Sequence, residues 1–188
     1  MPSKKIAVII STTRPSRIGA DIADWFIRNV SDMPNAKFEL IDLKEINLPF
    51  FDEVYSPAKG IYQKDHTKKW KALIDSFDGY VFVTAEYNAG YPAPLKNAID
   101  YLDSEWHNKP AAIVSYGWTA GASASAQLKQ VLERLKMQIT GVSPGLTFNG
   151  DTFNEAGRLA DVDASFAENL DEIKMATTQL LELVDLTD

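Results

Sequence analysis

The feature that most restricts this chain is an alternation sustained along its length. Four short runs rich in β-branched residues alternate with stretches whose apolar residues recur at helical spacing. The runs are residues 5–11 (KIAVIIS), 38–43 (FELIDL), 80–85 (YVFVTA) and 111–116 (AAIVSY). The first, third and fourth are apolar enough to be covered on both faces. In the first intervening stretch Ile18, Ile22, Trp25, Phe26 and Val30 predict a helix with Ser16 as its N-cap. Trp70, Leu73, Ile74 and Phe77 predict a second, stopping at Asp78-Gly79. A third begins near Pro94 and runs through LKNAIDYL. Leu128, Val131, Leu132 and Leu135 mark a fourth, and Phe166, Leu170, Ile173, Leu180 and Val184 a last, acidic and amphipathic one that covers the sheet. A fifth strand is expected within residues 138–148. Each pair of parallel neighbours needs a crossover connection, so the pattern predicts a parallel sheet with helices on both faces.

Five strands and five helices in 188 residues fit a flavodoxin-like, doubly wound α/β domain over residues 1–188. The expected order is 2-1-3-4-5, not that of a six-strand dinucleotide fold. There is no internal repeat and no linker. The longest irregular segment, residues 44–60 (KEINLPFFDEVYSPAKG), exceeds usual loop lengths and is of the kind that carries function.

Charge and residue usage narrow the function classes. With 19 Lys+Arg against 26 Asp+Glu the net charge is −7, and without a basic stripe nucleic acid is not an expected partner. The absence of cysteine excludes thiolate metal sites, iron–sulfur clusters and a cysteine nucleophile. Two histidines, His66 and His107, are too few for most zinc sites and are expected to be solvated. Redox chemistry would need a borrowed organic cofactor. The apolar run from Ile6 to Ile10 is too short for a signal segment or a membrane span, so no membrane partner and a cytoplasmic location are expected.

In the predicted order, ligands bind beyond the carboxyl ends of the first and third strands. After the first strand comes Ser11-Thr12-Thr13-Arg14-Pro15-Ser16-Arg17-Ile18-Gly19, a hydroxyl-rich, doubly cationic turn into a helix N-terminus. Free amides, the helix dipole and guanidinium groups there favour a phosphate. The turn is neither GxxxxGK[ST] nor GxGxxG, and it lacks the carboxylates of a magnesium-holding receiver domain. The same residues also suit a capped helix with solvated arginines. After the third strand comes EYNAGYPAP (86–94), and after the fourth GWTAG (117–121). Aromatics interleaved with turn formers suit the faces and polar edge of a flat ring, although Tyr87, Tyr91 and Trp118 would equally suit surface packing or a subunit interface. One loop for phosphate and two for a planar ring describe a flavin mononucleotide (FMN) site.

These strings carry a family resemblance. STTRPSRIG (11–19), AEYNAGYPAPLKNAIDYL (85–102) and SYGWTAGASASAQL (115–128) resemble the NAD(P)H-dependent FMN reductase family, flavodoxin-like oxidoreductases that include quinone and azo-dye reductases. The resemblance implies that Ser11, Thr13, Arg14, Ser16, Arg17 and the Ile18 amide hold the FMN phosphate. Glu86, Tyr87 and Asn88 would lie against the isoalloxazine, largely through backbone groups, with Tyr116, Gly117 and Trp118 completing the pocket. Ala85 departs from a usual Pro, and Trp118, Ala122 and Ala124 from a frequent Gly, Gly and Arg. The implied reaction is ping-pong, with hydride passing from NADPH or NADH to FMN and on to a flavin, quinone, azo or similar small-molecule acceptor. No catalytic acid or base and no metal are implied. Lys96 and Asp100 read as a surface pair, with Asn97 serving loop backbone groups. The apolar turn Leu48-Pro49-Phe50-Phe51, exposed in a monomer, would cover a partner's flavin in a homodimer or homotetramer. A flavin-binding electron carrier or sensor without reductase activity, and a non-flavin phospho-ligand binder, are the competing classes.

Overall fold

Continuous burial of three strands organises the architecture in this computed structural model, which describes residues 3–187. Met1, Pro2 and Asp188, the ends of the expected domain, lie outside the described residues. In chain order the elements are β1 (Lys4–Ile10), α1 (Gly19–Val30), β2 (Ala36–Asp42), α2 (Leu43–Ile46), α3 (Asp65–Asp75), β3 (Gly79–Ala85), α4 (Ala93–Asp100), β4 (Pro110–Gly117), α5 (Ala122–Arg134), β5 (Gln138–Ile139), β6 (Gly145–Thr147), α6 (Val162–Ser165) and α7 (Leu170–Thr187). The sheet runs β2-β1-β3-β4-β5, with β6 also on β4, and every pairing is parallel. This is the predicted order.

All of β3 and β4 is buried, as is the carboxyl-terminal part of β1, while the edge strand β2 is half-exposed. Alternate residues of one strand face two separate cores. Ile6, Val8 and Ile10 pack with Trp25 and Phe26 of α1 and with Ile173, Leu180 and Val184 of α7. Ala7 and Ile9 pack on the other face with Trp70 and Ile74 of α3, Ile99 of α4 and Leu128 of α5. Trp70 and Trp106 each donate an indole N–H to a carbonyl of α4, Ala98 at 2.9 Å and Ile99 at 3.1 Å. That fixes the helix behind the β3 loop. No described helix is long and apolar enough to cross a membrane.

Five local expectations change. The fifth strand is split: Thr140 donates its amide to Ala111 at 2.9 Å and Ser115 donates to the Pro144 carbonyl at 3.0 Å, but Pro144 has no N–H with which to continue a ladder. Gln179 of α7 accepts the Val142 amide at 3.0 Å across this break. Ser16 does not cap α1, which starts at Gly19 with no side-chain cap; its hydroxyl accepts from Arg14 instead. A Cβ at Gly19 would sit 2.5 Å from Thr12 Oγ1 and 2.7 Å from Tyr116 Oη, so glycine lets the helix start close against the sheet edge. The second helix ends at Asp75; Gly79 opens β3, and Asp78 accepts the Lys5 amide at 2.7 Å. His66 and His107 are half-buried rather than freely solvated, beside Asp52 at 2.8 Å and Asp103 at 3.6 Å. Residues 44–60 are less irregular than expected, carrying most of α2 and a 3₁₀ turn at Pro57–Lys59.

Candidate functional site

The β1–α1 loop is built by its own turn chemistry and one long-range ion pair. Arg17 donates its amide to the Arg14 carbonyl at 3.1 Å, closing a turn in which Pro15 supplies a preset φ at the second position. The Arg17 guanidinium then reaches two anchors: Nη1 donates to the Thr12 carbonyl and to Asp42 Oδ1, both at 2.6 Å, and Nη2 donates to Asp42 Oδ2. Asp42 ends β2, so the fork ties the loop to the neighbouring strand. The Asp42 hydrogen bond raises the Arg17 pKa despite burial. Burial raises that of Asp42, but Arg17 and the Lys44 amide hold it below the ordinary carboxylate range. Arg14 differs. It is exposed, donates to Ser16 Oγ at 2.9 and 3.2 Å, and has no carboxylate partner among the described residues. Of the loop's two cations, only Arg14 has charge to spare for an anion. Ser11 lies under the loop, fully buried, with a hydroxyl that no described atom partners. Buried hydroxyls are nearly always paired, so this one suits a ligand.

The β3 loop continues the sheet for one residue, Glu86 donating its amide to the Tyr116 carbonyl at 3.2 Å. The Glu86 carboxylate accepts the Ser123 amide at 2.9 Å and the Ala124 amide at 3.3 Å. Gly121, at the start of α5, offers no side-chain cap; Glu86 supplies one from another loop and leaves only its main chain for a ligand. Tyr87 and Gly90 exchange amide–carbonyl bonds of 2.8 and 3.1 Å around Asn88 and Ala89, at φ 50° and 60°. That is a two-residue turn of the primed type, with Asn where left-handed backbone suits it and Ala where it does not. The Tyr116 hydroxyl sits 3.4 Å from Thr12 Oγ1, and burial pushes its pKa up.

These loops enclose one cavity of about 480 Å³. Arg14, Ser16, Arg17 and Ile18 form one side, Glu86 and Tyr87 a second, and Tyr116, Gly117 and Trp118 a third. Nine of the twelve expected residues therefore meet. Ser11 is buried and does not line it, Asn88 stands exposed at the turn tip, and Thr13 faces a neighbouring cavity lined also by Leu48, Phe50 and Asn97. Asn97 accepts the Phe51 amide at 3.0 Å and donates to the Pro49 carbonyl at 2.7 Å, while Lys96 pairs with Asp100 at 2.6 Å, both as expected. Ala85 and Thr119 also line this cavity, and so do Phe148, at the end of the segment expected to hold the fifth strand, and Phe153 and Gly157 from a stretch not singled out above. The signal there was weak: two aromatics in a run of turn formers, FNGDTFNEAG. An unpaired guanidinium, an orphaned hydroxyl and a slot between two main-chain loops flanked by aromatics fit a phosphate monoester carrying a flat ring.

A profile of the NADPH-dependent FMN reductase family matches residues 4–147. A NAD(P)H-dependent FMN reductase of Schizosaccharomyces pombe is 39% identical over 183 residues, covering 96% of this chain and 90% of that protein. One from Saccharomyces cerevisiae is 38% identical over 148 residues, 73% of this chain and 78% of the other. Among solved structures, an oxidoreductase of Corynebacterium diphtheriae superposes with TM-score 0.70 at 16% identity over 98% of each chain. The NAD(P)H:acceptor oxidoreductase FerB of Paracoccus denitrificans does so with 0.64 at 20% identity, over 92% of this chain and 98% of that one. These two likenesses show a shared fold. From the sequence matches, the chain belongs to the NADPH-dependent FMN reductase family, flavin-dependent oxidoreductases that draw electrons from NAD(P)H.

Proposed function

We propose that residues 1–188 form a single flavodoxin-like domain whose cavity holds FMN, and that its acceptor is a small flavin, quinone or azo compound. The observation that carries the site assignment is Arg14: a guanidinium without a counter-ion among the described residues, on the wall of a cavity whose other walls are main-chain loops and aromatics. Arg14, Ser16 and the amides entering α1 take the phosphate, with the Ser11 hydroxyl below. Arg17 shapes the turn through Thr12 and Asp42 instead of offering its charge. The main chain of Glu86, Tyr87 and Asn88 lies along the polar edge of the ring, with Tyr116, Gly117 and Trp118 on the opposite side.

When bound, FMN supplies the two-electron chemistry between nicotinamide and acceptor. The chain's own residues bind and orient. No side chain need move a proton at the ring: Glu86 is committed to the α5 amides, and Tyr116, its phenol pushed up by burial, stays protonated beside Thr12. Positioning and exclusion of water are the protein's contribution.

Arg14→Ala combined with Ser16→Ala tests the phosphate assignment. Losing a charge-assisted contact of about 1.5–3 kcal/mol weakens FMN binding roughly tenfold or more, with far-UV circular dichroism unchanged. Unaltered affinity in a fluorescence titration overturns it. Phe50 is 86% exposed, although Asn97 and Tyr101 hold the carbonyls and amides around it. A rigid, exposed aromatic suits a homodimer interface beside the partner's cavity; a monomer of 20.9 kDa in sedimentation at micromolar concentration contradicts that part. A cytoplasmic location, where reduced nicotinamide nucleotides are available, completes the reading and is checked by cell fractionation.

A further inference from the structure

Residues 148–160 lie beyond the segment that the family profile matches, yet they build a wall of the cavity. Side-chain turns fold this stretch on itself. Asn149 Oδ1 accepts the Asp151 amide at 3.0 Å, and Asn154 Oδ1 accepts the Ala156 and Arg158 amides at 3.0 and 3.1 Å. Asn154 donates its amide to the Arg158 carbonyl at 2.9 Å and Ala160 to that of Thr152 at 3.0 Å, while Phe153 and Leu159 form an antiparallel bridge.

The hairpin so formed touches both sides of the cavity mouth. Phe153 stands edge-on to Phe148 at 4.9 Å and beside Trp118 at 6.1 Å, and Trp118 meets Phe148 at 90°. From the opposite strand Arg158 reaches the β1–α1 loop: Nη1 donates to the Arg17 carbonyl at 3.1 Å and Nη2 to Asp21 Oδ2 at 2.9 Å. An aromatic anchor on the β4 loop and a guanidinium on the β1 loop make the hairpin a bridge between the two loops assigned to ring and phosphate. Both Arg158 and Asp21 are nearly half exposed, so the guanidinium end is weakly held in water and can open.

We propose that this hairpin is a strap across the FMN cavity, that Arg158 and Phe153 are the positioning residues that keep it closed, and that its closure sets how long the cofactor stays and how bulky an acceptor can reach it. The inference rests on the reading of the cavity as the FMN site. It adds that this chain's own late segment, acting through the two loops without itself reacting, governs retention and access.

The test follows FMN release from the holoprotein after rapid dilution, read as recovery of free-flavin fluorescence, in Arg158→Ala, Arg158→Lys, Asp21→Asn and Phe153→Ala, with Arg14→Ala/Ser16→Ala as the reference. Expected are release about tenfold faster in Phe153→Ala, about three- to fivefold faster in Arg158→Ala, and partial recovery in Arg158→Lys, which keeps charge toward Asp21 but loses the two-acceptor fork. In steady state, Phe153→Ala lowers KM for a bulky naphthoquinone relative to a benzoquinone. If Phe153→Ala does not fold, Phe153→Leu keeps the volume, loses the ring, and is read the same way. Release within twofold of the parent in both Arg158→Ala and the Phe153 variant, while the reference weakens FMN binding, overturns the strap alone. A reference with undiminished FMN affinity overturns the site reading and the strap with it.

Discussion

Replacing Glu86 by Ala tests whether one carboxylate joins two of the loops around the cavity. Its Oε2 accepts both the Ser123 amide at 2.9 Å and the Ala124 amide at 3.3 Å, in the first turn of a helix preceded by Gly121. Hydrogen bonds to a charged acceptor contribute about 1.5–3 kcal/mol when well buried. One of these is long and the site is partly open to water, so the cap is placed within the usual range of about 0.5–2 kcal/mol. For a chain of this size each kcal/mol moves the melting temperature by about 2–4 °C, giving a loss of about 1–8 °C for Glu86→Ala. Glu86→Gln, which keeps a neutral acceptor, loses less. Thermal melts by circular dichroism with and without FMN measure both quantities, because a loosened start of α5 frees Gly117 to Gly121 and lowers FMN affinity by several-fold as well. If both variants melt within 1 °C of the parent, the carboxylate does not cap α5 and the reasoning fails.

Two further outcomes follow from backbone and charge. Ala89 stands at φ 60°, so Ala89→Gly relieves left-handed strain and raises the melting temperature by about 1–4 °C; a lower melting temperature would show that the turn is not strained there. Asp42 keeps a depressed pKa in the folded state because its bonds to Arg17 and the Lys44 amide outweigh burial, so its contribution is present above the unfolded value near 3.9 and vanishes as pH falls through the lower folded value. Urea midpoints from pH 7 to 3 should therefore fall more steeply in the parent than in Asp42→Asn, which is the less stable protein at pH 7; equal slopes would remove the linkage.

The legible part of this fold is the part written in contiguous residues. The runs at residues 80–85 and 111–116 are apolar but for Thr84 and Ser115 because β3 and β4 are buried on both faces, and that burial fixes their parallel neighbours. Once the order is known, the loops at the carboxyl edge are known too, which is why residues as far apart as Arg14 and Trp118 could be assigned to one cavity. The split fifth strand was half legible: Pro144 signals a missing donor, but where the ladder breaks depends on the register of β4. The wall at Phe148 and Phe153 was not legible, because its meaning lies in the approach of Trp118 from thirty or so residues away.

The two arginines of the first loop show where local reading stops. Arg14 and Arg17 are three residues apart in the same cationic turn, and as letters they are equivalent phosphate ligands. What separates them is Asp42, at the far end of a helix and a strand, which takes the Arg17 guanidinium in a two-pronged bond and leaves Arg14 without a carboxylate among the described residues. A paired guanidinium must give up its fork before it can serve a second anion, whereas Arg14 need only turn from Ser16. Arg14→Ala should therefore weaken phosphate capture directly. Arg17→Ala should act through the shape of the turn, lowering stability along with affinity.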